Sequence, residues 1–419
     1  MHYAIITYGS RGDVQPFIAL TLGLMERGDQ VTLLANENFK TFVEDYGVNF
    51  FPLAGNMEDM IHSQEMLKLL RSGNMVSYLK EMRKLMRNIQ PQVNEDILEG
   101  ARHADVLIAS PLTLAWVYSI AEKLKKKYAI IQLSVPAIPT REFPFAAFDF
   151  FNSPRYNLFT YALVRYIYWR LNKKDINKHR ESLQLPPLKK SILKNISDQK
   201  ILNLHAISAS LISRPKDWPE EIQITGFLTI PESKRKNNIT DQLPVGLDTW
   251  LKNGEPPIYI GFGSIPIPDP EFLSSIIIEV TATTNHRFIF CQGWSELPKL
   301  PRHENLFIIK HANHEWLFPQ CKTAIIHGGI GTIAAALKAG IPPIIISIFA
   351  DQPLWGKLIA NKKLGIHFPF KRLSTGKLLL AIEIIERPDM KKNALKFGVT
   401  INKKDILMPA LILENYFAK

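Results

Sequence analysis

The chain has 419 residues, of which 46% are hydrophobic and 21% are charged. These fractions are typical of a globular protein and exclude a disordered, collagen-like or mucin-like chain, and the length favours two domains over one. The 51 basic residues outnumber the 39 acidic ones, so the net charge is +12. Such a charge is compatible with nucleic acid, anionic lipid or phosphate-bearing ligands and does not choose among them.

The cysteines and the apolar runs bear on the cellular compartment. Two cysteines, Cys291 and Cys321, cannot form a disulfide framework and are too few for a zinc site, which fits a reducing compartment. The start of the chain has no basic leader before its short apolar run. No apolar run approaches the roughly 20 residues that span a bilayer. The sequence therefore predicts a soluble, cytoplasmic protein.

Short β-branched runs alternate with longer amphipathic runs, a pattern that predicts an α/β fold with parallel sheets. In the first half the predicted strands are Tyr3–Thr7, Val31–Ala35, Asp105–Ala109 and Tyr128–Leu133, the predicted helices are Val14–Arg27 and Asn38–Tyr46, and the long helical insertions are Asp59–Ile89 and Tyr156–Glu181. In the second half strands are predicted near Pro257–Phe262, Arg287–Cys291, Thr323–Ile326 and Pro343–Ser347, each followed by a helix.

A polar, charged segment without periodicity, 231–238, is the best candidate for a linker. We therefore expect one domain over residues 1–230, a linker over 231–245 and a second domain over 246–402. Ligands of open parallel sheets bind beyond the carboxyl ends of the strands. Two such lobes are expected to present these loops to a central cleft.

The most informative segment is a glycine-rich turn between a buried strand and a strong helix former in the second half. It contains His327, Gly328, Gly329, Gly331 and Thr332. Glycines let the backbone approach a ligand closely, and a helix start offers free N–H groups, which together make an anion site suited to a diphosphate. A tight structural turn with a satisfied histidine is the alternative. The turn has neither the Gly-Lys-Ser/Thr of a Walker loop nor the dinucleotide-binding spacing.

Other strand ends carry polar residues as well. Asp351 and Gln352 follow a strand and offer acceptors and donors suited to vicinal sugar hydroxyls, although Asp351 is equally explained as a helix cap. Ser264 follows another strand and is available to a phosphate.

The turn after the first predicted strand offers a candidate base. Ser10 and Arg11 are candidates for a phosphate contact. Asp13 is a candidate to take a proton from a hydroxyl, with helix capping as the alternative.

Five segments, in their order along the chain, resemble the motifs of one family. The chain resembles family-1 glycosyltransferases of the GT-B fold, in the branch of sterol glucosyltransferases and bacterial natural-product (glycopeptide, macrolide) glycosyltransferases, over nearly its whole length. The anchors are Gly9-Ser10-Arg11-Gly12-Asp13-Val14-Gln15-Pro16, Gly261-Phe262-Gly263-Ser264, His314-Glu315-Trp316-Leu317-Phe318-Pro319, His327-Gly328-Gly329-Ile330-Gly331-Thr332 and Ala350-Asp351-Gln352-Pro353.

The resemblance implies two Rossmann-like lobes and an inverting transfer of a sugar, glucose by expectation, from a UDP- or dTDP-linked donor to a hydroxyl of a hydrophobic acceptor. It also implies that the final helix, 403–419, packs back on the first lobe. The roles carried over are Asp13 as the catalytic base, Ser10 and Arg11 near the donor phosphates, Ser264, His327, Gly331 and Thr332 on the diphosphate, Asp351 and Gln352 on the sugar hydroxyls, and His314 and Trp294 beside the nucleotide base.

The chain departs from the family at Ile326, where a second histidine is frequent, at Ile330, where alanine is usual, and at Ala335, near a ribose-binding glutamate of the plant-type signature. The sequence contains no Asp-x-Asp, the arrangement that holds a metal in many glycosyltransferases, so no metal or other cofactor is expected. The helix dipole and cationic groups are expected to replace that ion. His311 and His314 lack a nearby third ligand.

Aromatic residues in the first-half insertions suggest an apolar acceptor such as a sterol, other lipid or polyketide. The candidate acceptor-binding residues are Phe143, Phe145 and Phe148, with core packing as the alternative. Basic residues alongside suggest peripheral contact with an anionic membrane. A sugar-nucleotide epimerase on the same fold is the second enzyme hypothesis. A nucleic-acid binder is disfavoured, because the charges are spread and no recognised module appears.

Overall fold

A computed structural model describes residues 1–72, 74–134, 136–235, 244–294, 300, 303–401 and 407–418. The chain divides into two compact units. The first comprises Met1–Met57, Met82–Arg235 and Lys403–Lys419, and the second comprises Glu58–Glu81 and Lys236–Asn402. The segment Glu58–Glu81 thus groups with the second unit, whereas the sequence places it within the first domain.

The first unit is built on a seven-stranded parallel sheet in the order β3-β2-β1-β4-β5-β6-β7. Its central strands are almost entirely buried, as is expected when helices cover both faces of a parallel sheet. The strands are β1 (His2–Ile6), β2 (Gln30–Asn36), β3 (Asn49–Leu53), β4 (Val106–Ala109), β5 (Lys127–Gln132), β6 (Asn203–His205) and β7 (Ile222–Ile224).

The helices up to the end of this sheet cover the expected insertions. The predicted insertion 59–89 is divided among three helices, and the predicted insertion 156–181 is one long helix. The helices are α1 (Arg11–Met25), α2 (Lys40–Glu44), α3 (Met57–Ile61), α4 (Gln64–Arg71), α5 (Met75–Gly100), α6 (Leu114–Leu124), α7 (Pro154–Ser182), α8 (Ile192–Asp198) and α9 (Glu232–Arg235).

The second unit is built on a six-stranded parallel sheet in the order β10-β9-β8-β11-β12-β13. Its strands are β8 (Ile258–Gly261), β9 (Phe288–Cys291), β10 (Leu306–Ile309), β11 (Thr323–Ile326), β12 (Pro343–Ser347) and β13 (Ile366–Pro369). The remaining helices of the chain are α10 (Leu247–Lys252), α11 (Pro270–Thr283), α12 (His314–Leu317), α13 (Ile330–Lys338), α14 (Gln352–Asn361), α15 (Thr375–Ile385), α16 (Pro388–Thr400) and α17 (Leu407–Phe417).

The core of the second unit is made by β-branched and aromatic residues of the strands, together with one face each of α11 and α15. Ile258, Phe288 and Ile344 are fully buried there. This packing holds the strand ends, and therefore the loops after them, in fixed positions.

The expected linker over 231–245 falls partly on described residues. Glu232–Arg235 forms the short helix α9, and the Arg235 side chain is buried and donates from Nε to the Ile230 carbonyl at 3.1 Å. The boundary between the two units, Arg235/Lys236, falls within the expected linker, whose role stays a prediction, and residues 236–243 lie outside the described residues.

Helix α17 packs on the first unit. Glu414 forms an ion pair with Arg27 at the end of α1, at 2.5 Å, and the Tyr416 hydroxyl donates to the Lys200 carbonyl at 3.0 Å. Of the helices in the described ranges, none is both long and apolar enough to cross a membrane.

Candidate functional site

The strand order places two turns of the second unit at the point where its sheet changes direction. In the order β10-β9-β8-β11-β12-β13, the chain passes outward from β8 through β9 to β10 on one side of the sheet. It passes outward from β11 through β12 to β13 on the other side. Gly261 at the end of β8 pairs with Ile326 at the end of β11. The turns that carry Ser264 and His327 therefore lie side by side, at the switch point where ligands of such sheets bind.

The glycines of the turn after β11 are required by close contacts. Gly328 has φ +99°, and a Cβ there would lie 2.7 Å from Cγ2 of Ile345. A Cβ on Gly329 would lie 2.6 Å from Nε2 of His327, and one on Gly263 would lie 3.0 Å from Cε1 of the same ring. The His327 ring is thus enclosed by the two turns, and larger residues would displace it.

His327 is 8% exposed, and its Nδ1 is buried with no hydrogen-bond partner among the described residues. Burial lowers the pKa of the imidazole to about 4. At neutral pH the ring is uncharged, so it can offer one N–H or one acceptor but no positive charge. The sequence analysis expects cationic groups to take the place of a metal ion at the diphosphate. His327 does not supply such a positive charge.

The start of α13 is open to a ligand. Its N-cap is Gly329, which supplies no side-chain acceptor, so the first N–H groups of the helix depend on an external partner. A Cβ added to Gly331 would meet nothing within 4 Å. Backbone N–H groups at the positive end of a nine-residue helix suit a phosphate, and Thr332 can add a hydroxyl.

Gln352 lies beside this turn and is oriented by the backbone. Its Oε1 accepts hydrogen bonds from the N–H groups of Ile348 at 2.8 Å and Phe349 at 3.2 Å. Its Nε2 has no hydrogen-bond acceptor among the described residues. The amide oxygen is therefore occupied, and the amide NH₂ is the group left to donate to a ligand.

Asp351 does not act as a side-chain helix cap, which was the alternative considered from the sequence. It stands at the N-cap of α14, but its side chain makes no capping hydrogen bond. Instead, Oδ2 accepts a hydrogen bond from the Trp355 indole at 2.9 Å, and burial raises the pKa of the carboxyl. Trp355, fully buried one turn later, is the orienting partner that sequence reasoning missed.

The remaining predicted donor residues are placed as follows. The backbone N–H of Trp294 donates to the Gly263 carbonyl at 3.3 Å. The Trp294 ring contacts the His62 ring edge-to-face, with 6.1 Å between the ring centroids. His314 Nε2 lies 2.9 Å from the Tyr259 hydroxyl, and its ring stacks on Phe318. Trp294 is thus close to the Ser264 turn, while the His314 ring is held against neighbouring aromatic rings.

The candidate base lies at the switch point of the first sheet, between β1 and β4. Helix α1 begins at Arg11 with Ser10 as its N-cap, so Asp13 is the third helical residue. Asp13 Oδ2 accepts hydrogen bonds from Ser10 N at 2.8 Å and Ser10 Oγ at 3.0 Å. A Cβ on Gly9, which has φ +137°, would lie 2.3 Å from this oxygen. The carboxylate therefore takes part in capping and is held in one orientation.

Arg11 is occupied within the first unit. Its Nε donates to Gln15 Oε1 at 3.0 Å, and its guanidinium lies 4.4 Å from the centre of the Phe42 ring. A phosphate contact for Arg11 stays a prediction.

The first unit also contains a largely apolar cavity of about 100 Å³. Asn203 Oδ1 and both ring nitrogens of His205 are buried without hydrogen-bond partners among the described residues. The cavity lies between the sheet and the helices α7 and α8; among its lining residues are Ile130, Gln132, Arg165, Ile196, Asn203 and His205.

The predicted acceptor residues do not line this cavity. Phe145 packs edge-to-face on the buried Tyr161 at 6.0 Å, and the Phe148 carbonyl accepts a hydrogen bond from the Tyr156 hydroxyl. Phe143 is half-buried. Their role in acceptor binding stays a prediction, and the cavity residues are candidates that aromatic density alone did not reveal.

Comparison with known proteins gives the family. The model of the glycosyltransferase family 28 N-terminal domain matches residues 3–143, and that of the erythromycin biosynthesis protein CIII-like C-terminal domain matches residues 289–400. Sterol 3-beta-glucosyltransferase UGT80B1 of Arabidopsis thaliana is 32% identical over 411 residues, covering 96% of this chain and 66% of that protein. The chain belongs to the GT-B glycosyltransferases.

Further relatives of this glycosyltransferase agree. A sterol 3-beta-glucosyltransferase of Yarrowia lipolytica is 31% identical, covering 88% of this chain and 25% of that protein. The chain thus spans about two thirds of the Arabidopsis relative and a quarter of the Yarrowia one. Spinosyn forosaminyltransferase SpnP matches with a TM-score of 0.70 at 12% identity over 100% of both chains. Glycosyltransferase VinC, solved in complex with dTDP, matches with a TM-score of 0.67 at 14% identity over 99% of both chains. The GT-B fold predicted from the sequence is confirmed.

Proposed function

We propose that this protein transfers a sugar from a nucleoside-diphosphate sugar to a hydroxyl group of a hydrophobic acceptor, with inversion at the anomeric carbon. The observation that carries the proposal is the open start of α13. Its backbone N–H groups, the enclosed His327 and the amide NH₂ of Gln352 come together at one switch point. Such a constellation suits a diphosphate that carries a sugar.

The donor diphosphate is held by neutral hydrogen-bond donors and the helix terminus. Ser264 and His327 offer hydrogen bonds from adjacent turns, and Thr332 adds a hydroxyl from the first turn of α13. As the bond between the sugar and the diphosphate breaks, negative charge grows on the phosphate oxygen, which these fixed dipoles stabilise. Asp351 accepts hydrogen bonds from the sugar hydroxyls, and the amide NH₂ of Gln352 donates to them.

Asp13 is the proposed general base. It removes the proton from the acceptor hydroxyl as the oxygen attacks the anomeric carbon on the face opposite the nucleotide. The hydrogen bonds from Ser10 fix the direction of the carboxylate. The transfer requires Asp13 and the donor sugar to meet at the same acceptor hydroxyl. The shared cleft that the sequence leads us to expect stays a prediction.

The acceptor is proposed to be a sterol, another lipid or a polyketide-like molecule. The Arabidopsis and Yarrowia relatives are sterol 3-beta-glucosyltransferases, which supports a sterol acceptor and glucose as the sugar. The cavity between the first sheet and helices α7 and α8 is apolar, as such acceptors require. Its volume of about 100 Å³ accommodates part of a sterol-sized molecule. Asn203 and His205 would hydrogen-bond to a polar group there.

We also propose a cytoplasmic protein that needs no cofactor beyond the nucleotide sugar and has no nucleic-acid partner. Neither Cys291 nor Cys321 forms a disulfide and both are buried, in keeping with a reducing compartment. A sterol or lipid acceptor resides in a membrane, so peripheral contact with an anionic bilayer belongs to the same proposal.

A pair of glycine variants tests the donor site. Gly331 and Gly376 are each the second residue of a helix, α13 and α15, and an added Cβ meets nothing within 4 Å at either. Each alanine variant is therefore expected to fold, and to gain up to about 1 kcal/mol of helix stability. Gly331→Ala places a methyl group where the diphosphate approaches, so the affinity for UDP or dTDP is expected to fall at least about tenfold, a loss of about 1.4 kcal/mol.

Isothermal titration calorimetry with UDP and dTDP measures the effect, and Gly376→Ala is the matched control, expected to bind as the parent does. Nucleotide release from UDP-glucose with sterols or other lipids then identifies the reaction. Equal nucleotide binding by both variants would contradict the assignment of the phosphate site. Formation of an epimeric sugar nucleotide without transfer would contradict the reaction class.

A further inference from the structure

Helix α7 and the residues before it expose large apolar side chains. Phe150 and Phe151 are 72% and 71% exposed, and Phe159, Tyr166 and Leu171 are 59%, 61% and 56% exposed. Single exposed apolar residues are common on soluble proteins, whereas a run of them along one element marks an interaction surface. We define the α7 surface as Phe150, Phe151, Arg155, Phe159, Tyr166, Arg170, Leu171, Lys173 and Lys174.

Helical geometry places apolar and basic side chains of this surface on one stripe. At 3.6 residues per turn, Arg155, Phe159, Tyr166, Arg170 and Lys173 lie within an arc of about 60°. The stripe is about 27 Å long at 1.5 Å per residue. It is therefore an elongated face that presents aromatic rings between cations.

The charge of this segment is uniformly positive. From 150 to 174 the sequence has five basic and no acidic residues. Arg155, Arg170 and Lys173, the cations of the stripe, form no ion pair with any described residue, and Lys173 Nζ lies 5.8 Å from the centre of the Trp169 ring. The first acidic residue that follows, Asp175, is already paired with Arg83 and Arg87, each at 2.7 Å. The cations of the stripe are thus available to an external anionic partner.

We propose that the α7 surface docks this protein on an anionic lipid bilayer, with α7 lying along the membrane plane. Aromatic side chains between unpaired cations match a bilayer interface, in which the rings enter the headgroup region and the cations meet anionic headgroups. The choice of a bilayer as the partner rests on the proposed hydrophobic acceptor. In α7, Arg165 lines the apolar cavity while the next residue, Tyr166, belongs to the docking stripe. One helix thus borders both the membrane and the cavity proposed for the acceptor.

Vesicle co-sedimentation of the full chain tests the inference with neither donor nor acceptor present. The vesicles are phosphatidylcholine alone, or phosphatidylcholine with about one-third phosphatidylglycerol, whose surface charge attracts basic segments. We expect binding to the anionic vesicles that weakens as salt is raised. Each basic side chain near such a surface strengthens binding about fivefold, so Arg170→Gln with Lys173→Gln is expected to weaken it about 25-fold. Phe159→Ser with Tyr166→Ser is expected to weaken it at least about tenfold.

Matched controls separate this surface from the general positive charge. Lys392→Gln with Lys396→Gln removes the same charge from exposed positions of α16, and Leu380→Ser with Val399→Ser removes exposed apolar side chains of the second unit. Both controls are expected to bind as the parent does. Equal weakening by the two glutamine pairs, or no binding of the parent to anionic vesicles, would overturn the inference. UDP affinity, measured on the same variants, reports separately on the proposed glycosyltransferase.

Discussion

Asp13 takes part in capping α1 and is the proposed general base, and two substitutions separate these roles. Asp13→Asn keeps an oxygen that can accept the hydrogen bonds from Ser10 N and Ser10 Oγ, but it removes the basic group. Asp13→Ala removes both the acceptor and the base. The structure therefore predicts different stabilities but similar activities for the two variants.

The magnitudes follow from the contacts. Loss of a positioned general base lowers the turnover rate about 10²- to 10⁴-fold, so both variants are expected to lose activity in this range. Loss of the capping acceptor costs about 0.5–2 kcal/mol, which applies to Asp13→Ala alone. In a unit of about 200 residues each kcal/mol lowers Tm by about 2–4 °C, so Asp13→Ala is expected to melt about 1–8 °C lower.

Nucleotide release at saturating donor and acceptor gives the rate, and thermal unfolding without ligand gives the stability. Nucleotide affinity serves as the control, because the proposed diphosphate contacts of Ser264, His327 and Thr332 lie in the second unit and are expected to survive both substitutions. A rate within about threefold of the parent for Asp13→Asn would refute the assignment of the base. Equal melting temperatures for the two variants would refute the capping contribution.

The remaining predictions concern His327, acid stability and metal. His327→Ala is expected to weaken UDP binding about 10- to 100-fold in calorimetry, since a hydrogen bond to a charged group contributes about 1.5–3 kcal/mol; unchanged affinity would exclude the contact. Burial lowers the pKa of His179 and His327 to about 4, from 6.5 for an exposed imidazole. Between pH 4 and 6.5 the unfolded chain therefore binds more protons than the folded chain, and Tm is expected to fall as the pH drops from about 6.5 towards 4. The fall is expected to be smaller in His179→Phe, which lacks one of the two buried imidazoles. The transfer rate is expected to be the same with EDTA as with Mg²⁺, because the sequence has no Asp-x-Asp; a rate abolished by EDTA would contradict this.

The sequence predicted β11 and β12, which are continuous apolar runs, but it missed β10, which is one as well, and β13. It missed β6 and β7, whose sequences Asn-Leu-His and Ile-Gln-Ile are three residues long. Such short segments carry no measurable periodicity and become strands only because neighbouring strands supply their hydrogen bonds. Strand β3 was missed for a related reason, since Pro52 interrupts it at the edge of the sheet.

The glycine-rich turns were predictable because glycine has a local physical meaning. The orientation of the side chains was not, because it depends on partners that lie elsewhere in the chain or one helical turn away. Asp351 is turned by Trp355, and the His327 ring is enclosed by Gly263 from a different strand end. The helix start at Arg11, three residues before the predicted one, reflects the reciprocal hydrogen bonding of Ser10 and Asp13.

The burial of the proposed donor turn also determines how it can stabilise charge. A cation at position 327 would lose its hydration among residues that are almost fully enclosed, and the lowered pKa of His327 shows that the neutral form is favoured instead. Backbone N–H groups at the start of α13 carry partial positive charge without that penalty, because their orientation is already fixed by the helix. In the proposed reaction, stabilisation of the negative charge on the leaving diphosphate therefore depends on how closely the diphosphate can approach these backbone N–H groups. For this reason a single methyl group at Gly331 is expected to disturb donor binding without disturbing the fold.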